Sequence, residues 1–148
     1  MTDYNTLTRQ IESLVAGEHD TTAVMANVAA ALHHALGHHW TGFYVMQGDT
    51  LVLGPFQGPV ACYRIGRGKG VCGHAAETRQ TVVAPDVEQF PGHIACSTLS
   101  RSEIVVPLKD AQGEVRAVLD IDSTQLDAFS ETDRIALEHI ADIVAKIF

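Results

Sequence analysis

The sequence predicts a single α+β domain in which helices flank a mostly antiparallel central sheet. Apolar residues recur at helical spacing near both ends of the chain. Between the ends the period shortens to that of strands joined by tight turns, which is typical of hairpins rather than of repeated βαβ units. The length of 148 residues suits one ordinary hydrophobic core, so we expect the domain to span residues 1–148.

Three of the predicted helices have clear start or stop signals. The first two cover residues 7–15 and 24–36, and each ends at a glycine. The last begins at Ser130, which forms an acidic variant of the capping box with Asp133. Its apolar stripe is broad enough to face a sheet or a partner helix. The stripe consists of Ile135, Ala136, His139, Ile140, Ile143, Val144 and Ile147.

The middle of the chain predicts six strands and one short helix. The strands are expected at residues 40–46, 51–55, 60–65, 81–84, 103–108 and 114–121. A glycine-dense turn over residues 66–73 opens a short helix that ends near Thr78. Residues 85–102 predict a long loop, and loops of that length inside compact domains are usually functional.

The charge and the cysteine count narrow the class of function. Ten basic against 18 acidic residues give a net charge of −8, which disfavours binding to nucleic acid or to an anionic membrane. The N-terminus lacks the layout of a signal peptide, and no apolar run approaches the length of a membrane helix. Three cysteines, an odd number, are typical of a reducing compartment, so we expect a cytoplasmic protein with chemically active thiols.

The glycine-dense turn also satisfies a dinucleotide-binding pattern. Gly68, Gly70 and Gly73 give G-x-G-x-x-G between a strand and a helix, and Asp86 lies near the usual acidic position. A dinucleotide site would need these glycines to approach a pyrophosphate at the helix N-terminus. Because the other strands pair as hairpins, we favour a tight strand-to-helix turn and expect no cofactor.

The cysteines are candidates for redox chemistry. Cys72 lies at the start of the short helix, where free N–H groups and the helix dipole favour a thiolate. Cys96 lies in the long loop, three residues after His93, which either tunes the thiol or is an ordinary polar loop residue. Cys62 alone is typical of a small buried apolar residue. Spacings of ten and 24 residues, with no C-x-x-C pair, disfavour zinc, and we expect no metal.

Two aspartates share one face of a predicted strand. Asp120 and Asp122 are two positions apart, roughly 6.6 Å along a strand, and Glu103 heads the neighbouring strand. Like charges this close are unfavourable unless they meet a cation or solvent. The cluster is therefore either a pocket for a ligand ammonium group or a solvated strand end.

Two aromatic residues share a face of the first predicted strand. Trp40 and Tyr44 flank Gly42, which leaves a space without a side chain between the rings. An aromatic cleft of this kind suits a cation or a sulfur-bearing group, whereas the alternative is an ordinary aromatic core.

Seven motifs in order along residues 40–123 carry a family resemblance. They are WTGFY (40–44), LVLGPFQG (51–58), AC (61–62), GVCG (70–73), GHIAC (92–96), SEIVVPL (102–108) and VLDIDS (118–123). Together they closely resemble the free methionine-(R)-sulfoxide reductases, a family built on a GAF domain. The flanking helices fit the same fold, so the resemblance extends over essentially the whole chain.

The resemblance implies the reduction of free methionine (R)-sulfoxide by thiols. By resemblance Cys96 is the nucleophile and becomes a sulfenic acid, and either Cys72 or Cys62 then condenses with it to form a disulfide. From the residues alone Cys72 is the favoured attacker, and the resemblance overrides that. The resemblance also implies thioredoxin as reductant and a homodimer.

The same resemblance assigns the remaining site residues. Glu103, Asp120 and Asp122 match the acidic cluster that holds the substrate and helps to protonate the departing sulfoxide oxygen. Trp40 and Tyr44 match the aromatic pocket. The chain departs from the family at the position after the nucleophile, which is serine instead of aspartate.

Two further classes of function stay open on the sequence. GAF domains commonly bind small ligands in sensory proteins, so a binding module without catalysis is one alternative. A redox-sensing switch that uses the same cysteines is intermediate between the two.

Overall fold

Four helices and six strands lie in the part of the chain that the computed structural model describes, residues 1–94 and 96–148. The helices are α1 (Tyr4–Val15), α2 (Thr21–Leu36), α3 (Gly70–Thr78) and α4 (Glu131–Ala145). The strands are β1 (Trp40–Gln47), β2 (Thr50–Gln57), β3 (Arg64–Gly66), β4 (Val82–Ala84), β5 (Ser102–Lys109) and β6 (Val115–Ser123). None of the helices in these residues is both long enough and apolar enough to cross a membrane.

The strands form one six-stranded sheet in the order β3-β2-β1-β6-β5-β4. Every neighbouring pair is antiparallel. The hairpins β1–β2 and β5–β6 follow the chain, and β1 pairs with β6 to join them at the centre. The prediction of an α+β fold with an antiparallel sheet and flanking helices is confirmed.

The two faces of the sheet carry different layers. Helices α2 and α4 pack on one face, and α1 packs against these two helices. The three helices form the larger core with inward residues such as Phe43, Ile104 and Leu119. Helix α3 covers the other face, where Tyr44 and Val118 are buried. Because side chains alternate along a strand, neighbours in sequence lie in different layers.

Helix α4 begins as predicted but faces the sheet with a different stripe. The Ser130–Asp133 capping box is present in both directions. The buried residues are Leu137, Ile140, Ala141, Val144 and Ala145. Ile140 and Val144 belong to the predicted stripe, whereas Ile135 of that stripe faces solvent, so the prediction is right in part and the buried face is shifted toward Leu137 and Ala141. The phase follows the sheet surface, which the helix period alone does not specify.

The predicted strand at residues 60–65 is mostly wrong, since β3 comprises Arg64–Gly66 only. Two side chains of β1 donate hydrogen bonds to backbone carbonyl groups of the segment that the sequence predicts as a strand. The indole Nε1 of Trp40 donates to the Pro59 carbonyl at 3.0 Å, and the Tyr44 hydroxyl donates to the Cys62 carbonyl at 2.9 Å. Residues 58–63 therefore form a loop that lies on β1.

The glycine-dense turn is the tight strand-to-helix connection that the sequence favours. Gly68 and Gly70 have positive φ values of 80° and 61°, which glycine adopts without strain. The Gly68 amide donates to the Gly73 carbonyl at 2.9 Å, which folds the turn onto the start of α3. A Cβ atom at Gly73 would overlap the Gly66 carbonyl oxygen, so this position requires glycine.

We predict that Gly73→Ala destabilises the domain by about 2 kcal/mol, because the added methyl group meets backbone that cannot move without opening the turn. Gly66→Ala is the matched control, since its Cβ would meet only the flexible Lys69 side chain at 3.3 Å. Chemical denaturation of both variants measures the difference. Equal stabilities would contradict the packing argument.

Candidate active site

A cavity of about 50 Å³ lies between α3 and the sheet, and it collects the predicted site residues. Its lining includes Trp40, Tyr44, Cys72, Cys96, Glu103, Asp120 and Asp122. Cys62, the remaining predicted residue, is bonded to Cys96. Residues separated by more than 80 positions in sequence thus meet on the α3 face of the sheet. Ala95, within the motif at residues 92–96, lies outside the described residues.

The register of three strands brings the carboxyl groups together. Glu103 on β5 is paired with Asp122 on β6, and Ala84 on β4 is the other neighbour of Glu103. Asp120 lies two residues before Asp122 on the same face, opposite Gly42 of β1. Glu103 and Asp120 are buried, whereas Asp122 is partly exposed. The alternative of a solvated strand end is therefore wrong.

The three carboxyl groups bind protons more tightly than ordinary carboxyl groups. Burial, with the charges of Asp120 and Asp122, raises the pKa of Glu103 well above its ordinary value. Burial raises the pKa of Asp120, and burial together with the Asp120 charge raises that of Asp122. The Oδ1 atom of Asp120 is buried without a hydrogen-bond partner among the described residues. The cluster thus attracts a cation or holds protons.

Cys72 does not have the properties that its helix-start position predicts. Its side chain is 3% exposed, and its Sγ lies 3.8 Å from Oε2 of Glu103. Burial, followed by the charges of Asp120 and Glu103, raises the pKa of the Cys72 thiol well above its ordinary value. Burial and the neighbouring carboxyl groups outweigh the stabilisation of a thiolate by the helix start, so the prediction of a thiolate at Cys72 is wrong.

Cys62 and Cys96 form a disulfide with a Cα–Cα distance of 5.5 Å. Both cysteines are partly exposed, and Cys96 lines the cavity. The bond joins two loops that are 34 residues apart in sequence. Of the two cysteines that the sequence leaves open as partners of Cys96, the structure pairs Cys62, and Cys72 is free.

Trp40 and Tyr44 form a stack rather than two walls of a gap. Their ring centroids are 6.0 Å apart, with an interplanar angle of 26°. The space above Gly42 is occupied, since a Cβ there would overlap Phe56 and approach the Trp40 ring at 2.8 Å. The predicted empty space over Gly42 is therefore wrong, and the stack borders the cavity from one side.

The aromatic stack also holds the loop that carries Cys62. Both polar atoms of the stack donate to backbone carbonyls of residues 59–62, as described for β3. Gly58 lies directly under Trp40, where a Cβ would be 2.8 Å from Cδ1 of the indole ring. The position of the Cys62 loop is thus fixed from β1.

Sequence reasoning misses two residues beside the cavity. His39, the residue before β1, has its Nε2 3.4 Å from Oγ of Ser97. The serine oxygen also accepts from the Leu99 amide at 3.3 Å. Lys69 lines the cavity and lies within the glycine-dense turn, where only its charge marks it. His93 lines it too, and its Nδ1 is buried without a partner among the described residues.

One group of side chains in the described residues has the spacing of a metal site. Donor atoms of Cys72, Glu103 and Asp120 lie within 4.8 Å of one another. Burial raises the pKa of all three groups, so a metal ion would have to displace protons. The spacing rules applied to the sequence do not find such a mixed set, because its members come from α3, β5 and β6.

The fold is an antiparallel sheet with α3 closing a cavity on one face and the other three helices on the opposite side. This arrangement is that of a GAF domain. The family model of the GAF domain matches residues 20–148. The chain belongs to the GAF domain family and, within it, to the free methionine-R-sulfoxide reductases, as its relatives show.

Two of the following three relatives carry the reductase name, and the third is named for the GAF domain alone. The free methionine-R-sulfoxide reductase of Escherichia coli is 44% identical over 97% of this chain and 87% of its own length. GAF domain-containing protein A of Dictyostelium discoideum is 50% identical over 95% of this chain and 89% of its own length. The X-ray structure of free methionine-R-sulfoxide reductase from Neisseria meningitidis in complex with its substrate has a TM-score of 0.95 and 52% identity, covering 98% of this chain and 87% of that chain.

We predict that Glu103→Gln raises the melting temperature at pH 8 by about 2–4 °C, the shift that ~1 kcal/mol gives a domain of this size. Because the folded pKa is raised, folding takes up a proton above the ordinary glutamate pKa, and stability falls as the pH rises through that range. The gain should vanish near pH 4. Thermal unfolding at both pH values measures it, with exposed Glu88→Gln as control. Equal melting temperatures at pH 8 would contradict the prediction.

We predict that Tyr44→Phe weakens the Cys62–Cys96 bond about fivefold against dithiothreitol, as expected for the loss of one hydrogen bond. The hydroxyl group holds the backbone of Cys62, so without it the reduced loop samples more positions away from Cys96. The fraction of disulfide in defined redox buffers is the measurement. Tyr63→Phe, next to Cys62 but exposed, is the control and should change nothing. A fivefold effect in the control as well would exclude this explanation.

Proposed function

We propose that the chain reduces free methionine (R)-sulfoxide to methionine by cysteine chemistry. The observation that carries the proposal is the disulfide between Cys62 and Cys96 at a cavity that also holds buried carboxyl groups and an aromatic stack. Three 42–52% identical relatives bear the name of this reductase, and two solved structures contain a substrate complex. We also propose that residues 1–148 form a single domain.

In the first step the Cys96 thiolate attacks the sulfur atom of the sulfoxide. A bond forms between the Cys96 sulfur and the substrate sulfur, and a carboxyl group protonates the sulfoxide oxygen. The hydroxyl group then moves to the Cys96 sulfur as the new sulfur–sulfur bond and the sulfur–oxygen bond of the substrate break. Methionine leaves, and Cys96 becomes a sulfenic acid. The substrate sulfur is reduced by two electrons, and the Cys96 sulfur is oxidised by two. Cys96 suits this role because it lines the cavity and is partly exposed, whereas Cys72 is buried.

In the second step Cys62 resolves the sulfenic acid. Its thiol attacks the Cys96 sulfur, the disulfide forms, and the hydroxyl group leaves as water. The observed bond between these two cysteines supports Cys62 over Cys72 as the resolving residue. The raised pKa of Cys72 also disfavours it as a nucleophile, so we assign it a part in the buried cluster with Glu103.

The carboxyl cluster has two parts in the proposal. An ammonium group of the substrate is attracted to Glu103, Asp120 and Asp122, and the unpartnered Oδ1 of Asp120 provides one acceptor. A carboxyl group that keeps its proton at neutral pH donates it to the departing sulfoxide oxygen. The raised pKa values of Glu103 and Asp122 support this acid role.

The aromatic stack supplies the apolar side of the pocket. The faces of Trp40 and Tyr44 are suited to the methyl and methylene groups beside the substrate sulfur, and to the sulfur itself. Their polar atoms are engaged with the Cys62 loop, so the rings remain fixed while the substrate changes.

Three further features belong to the same proposal. Thioredoxin returns the disulfide to two thiols by exchange. The protein is a homodimer in the cytoplasm, and exposed Ile135 with partly exposed Ile143 on α4, and partly exposed Ile147 just after the helix, supports contact between copies. Neither a metal nor another cofactor takes part.

We predict that Cys96→Ser abolishes formation of methionine from the free (R)-sulfoxide, whereas the (S)-sulfoxide is not reduced even by the unmodified chain. Turnover with dithiothreitol, with methionine quantified by chromatography, is the measurement. Cys62→Ser should release one methionine per chain and then stop with thioredoxin, because the sulfenic acid cannot be resolved. Cys72→Ser should retain turnover.

Two outcomes would contradict this assignment. Loss of all turnover in Cys72→Ser, but not in Cys96→Ser, would make Cys72 the nucleophile. No methionine from either epimer, with the ligand bound but unchanged, would leave the binding module without catalysis as the function.

A further inference from the structure

Apolar side chains that face solvent surround the disulfide. Four of the eight exposed large apolar side chains among the described residues lie within three positions of Cys62 or Cys96. Three residues of chain span at most about 11 Å, so all four lie around the bond. We call them the apolar rim: Val60 (89% exposed), Tyr63 (75%), Leu99 (61%) and Ile94 (37%).

The chain segments that carry the apolar rim contain basic residues but no acidic ones, although the protein as a whole is acidic. Segments 50–76 and 89–102 contain the two bonded cysteines and have no Asp or Glu. Their basic residues are Arg64, Arg67, Lys69 and Arg101. The other six basic residues share the rest of the chain with all 18 acidic residues. Arg67 lies 3.7 Å from Asp49, whereas Arg64 and Arg101 are exposed. An acidic partner would be steered to this region.

The disulfide has to be opened by a thiol from outside the chain before a second turnover. Cys72, the third cysteine, is buried and its thiol has a raised pKa, so it is a poor nucleophile for exchange. An external thiolate must reach one of the two partly exposed sulfur atoms. Residues of the apolar rim lie within three positions of each of these cysteines along the chain.

We propose that the apolar rim and its basic surroundings are the docking surface for a protein dithiol of the thioredoxin type with an acidic surface. This inference rests on the proposed function, because it gives the reductant of that reaction its place on the molecule. Exposed apolar residues that cluster beside a reactive bond are typical of an interaction site rather than of scattered surface residues.

The exchange balances in two steps. One thiolate of the partner attacks a sulfur of the Cys62–Cys96 bond, forming a mixed disulfide and releasing the other cysteine as a thiolate. The second thiol of the partner then attacks the partner's first sulfur in the mixed disulfide and releases the remaining cysteine of this chain. Two electrons pass to this chain, both of its cysteines become thiols, and the partner leaves as a disulfide.

The test compares a protein reductant with a small one. Tyr63→Ser, Leu99→Ser and the double variant are assayed as intact chains with thioredoxin and, separately, with dithiothreitol. We expect kcat/KM for thioredoxin to fall about tenfold in the double variant, as when anchor residues of an interface are truncated. The rate with dithiothreitol should stay the same, because a small thiol needs no docking surface. Leu14→Ser, an exposed leucine of α1 on the opposite layer, is the matched control and should change neither rate.

Each other outcome overturns the inference. Unchanged thioredoxin kinetics, or an equal loss with both reductants, removes the docking role. A change of oligomeric state in sedimentation of the rim variants makes the rim a contact between copies instead. Reduction of the oxidised chain by thioredoxin is also followed without any sulfoxide. The docking surface is thereby tested even if the unmodified chain fails to reduce the sulfoxide, an outcome that would contradict only the proposed function.

Discussion

The burial of three carboxyl groups and one thiol between α3 and the sheet is the constraint on which the site depends. Cross-strand pairing fixes Glu103 beside Asp122, and the period of the strand adds Asp120 to the same face. Water is largely excluded there, so the groups cannot all be charged without a cation. The domain keeps this unfavourable arrangement because α3 and the glycine-dense turn close over it, and the larger core on the opposite face holds the sheet together.

Strand β1 connects the chemistry of the cavity to the two cysteine loops. Its first residues contribute the aromatic stack, and the same two side chains donate to the loop of Cys62. His39, immediately before the strand, contacts Ser97 next to the other cysteine. A single strand at the centre of the sheet therefore contacts both loops, which helps to hold two cysteines distant in sequence within bonding distance.

Local periodicity predicts the features that depend on near neighbours. The hairpins and the shared face of Asp120 and Asp122 follow from the strand period, and the cap of α4 follows from the spacing of Ser130 and Asp133. The predictions that are wrong concern features that depend on residues distant in sequence. The short β3 reflects donors from Trp40 and Tyr44, and the phase of α4 reflects the sheet beneath it.

Cys72 shows the same limit for the site. A helix start does favour a thiolate, but only where solvent or a cation can reach the sulfur. Here the carboxyl groups of β5 and β6 lie beside it, and sequence spacing gives no sign of that encounter. The pairing of Cys62 with Cys96 is likewise invisible locally, since 34 residues separate them.

The bond between Cys62 and Cys96 has a kinetic consequence. While the Cys96 sulfur is held in this bond it has no thiolate with which to attack a second sulfoxide. For the proposed reaction, the oxidised chain therefore turns over no further substrate until the bond is opened. Sulfoxide and reductant then react in alternation, which is a ping-pong scheme.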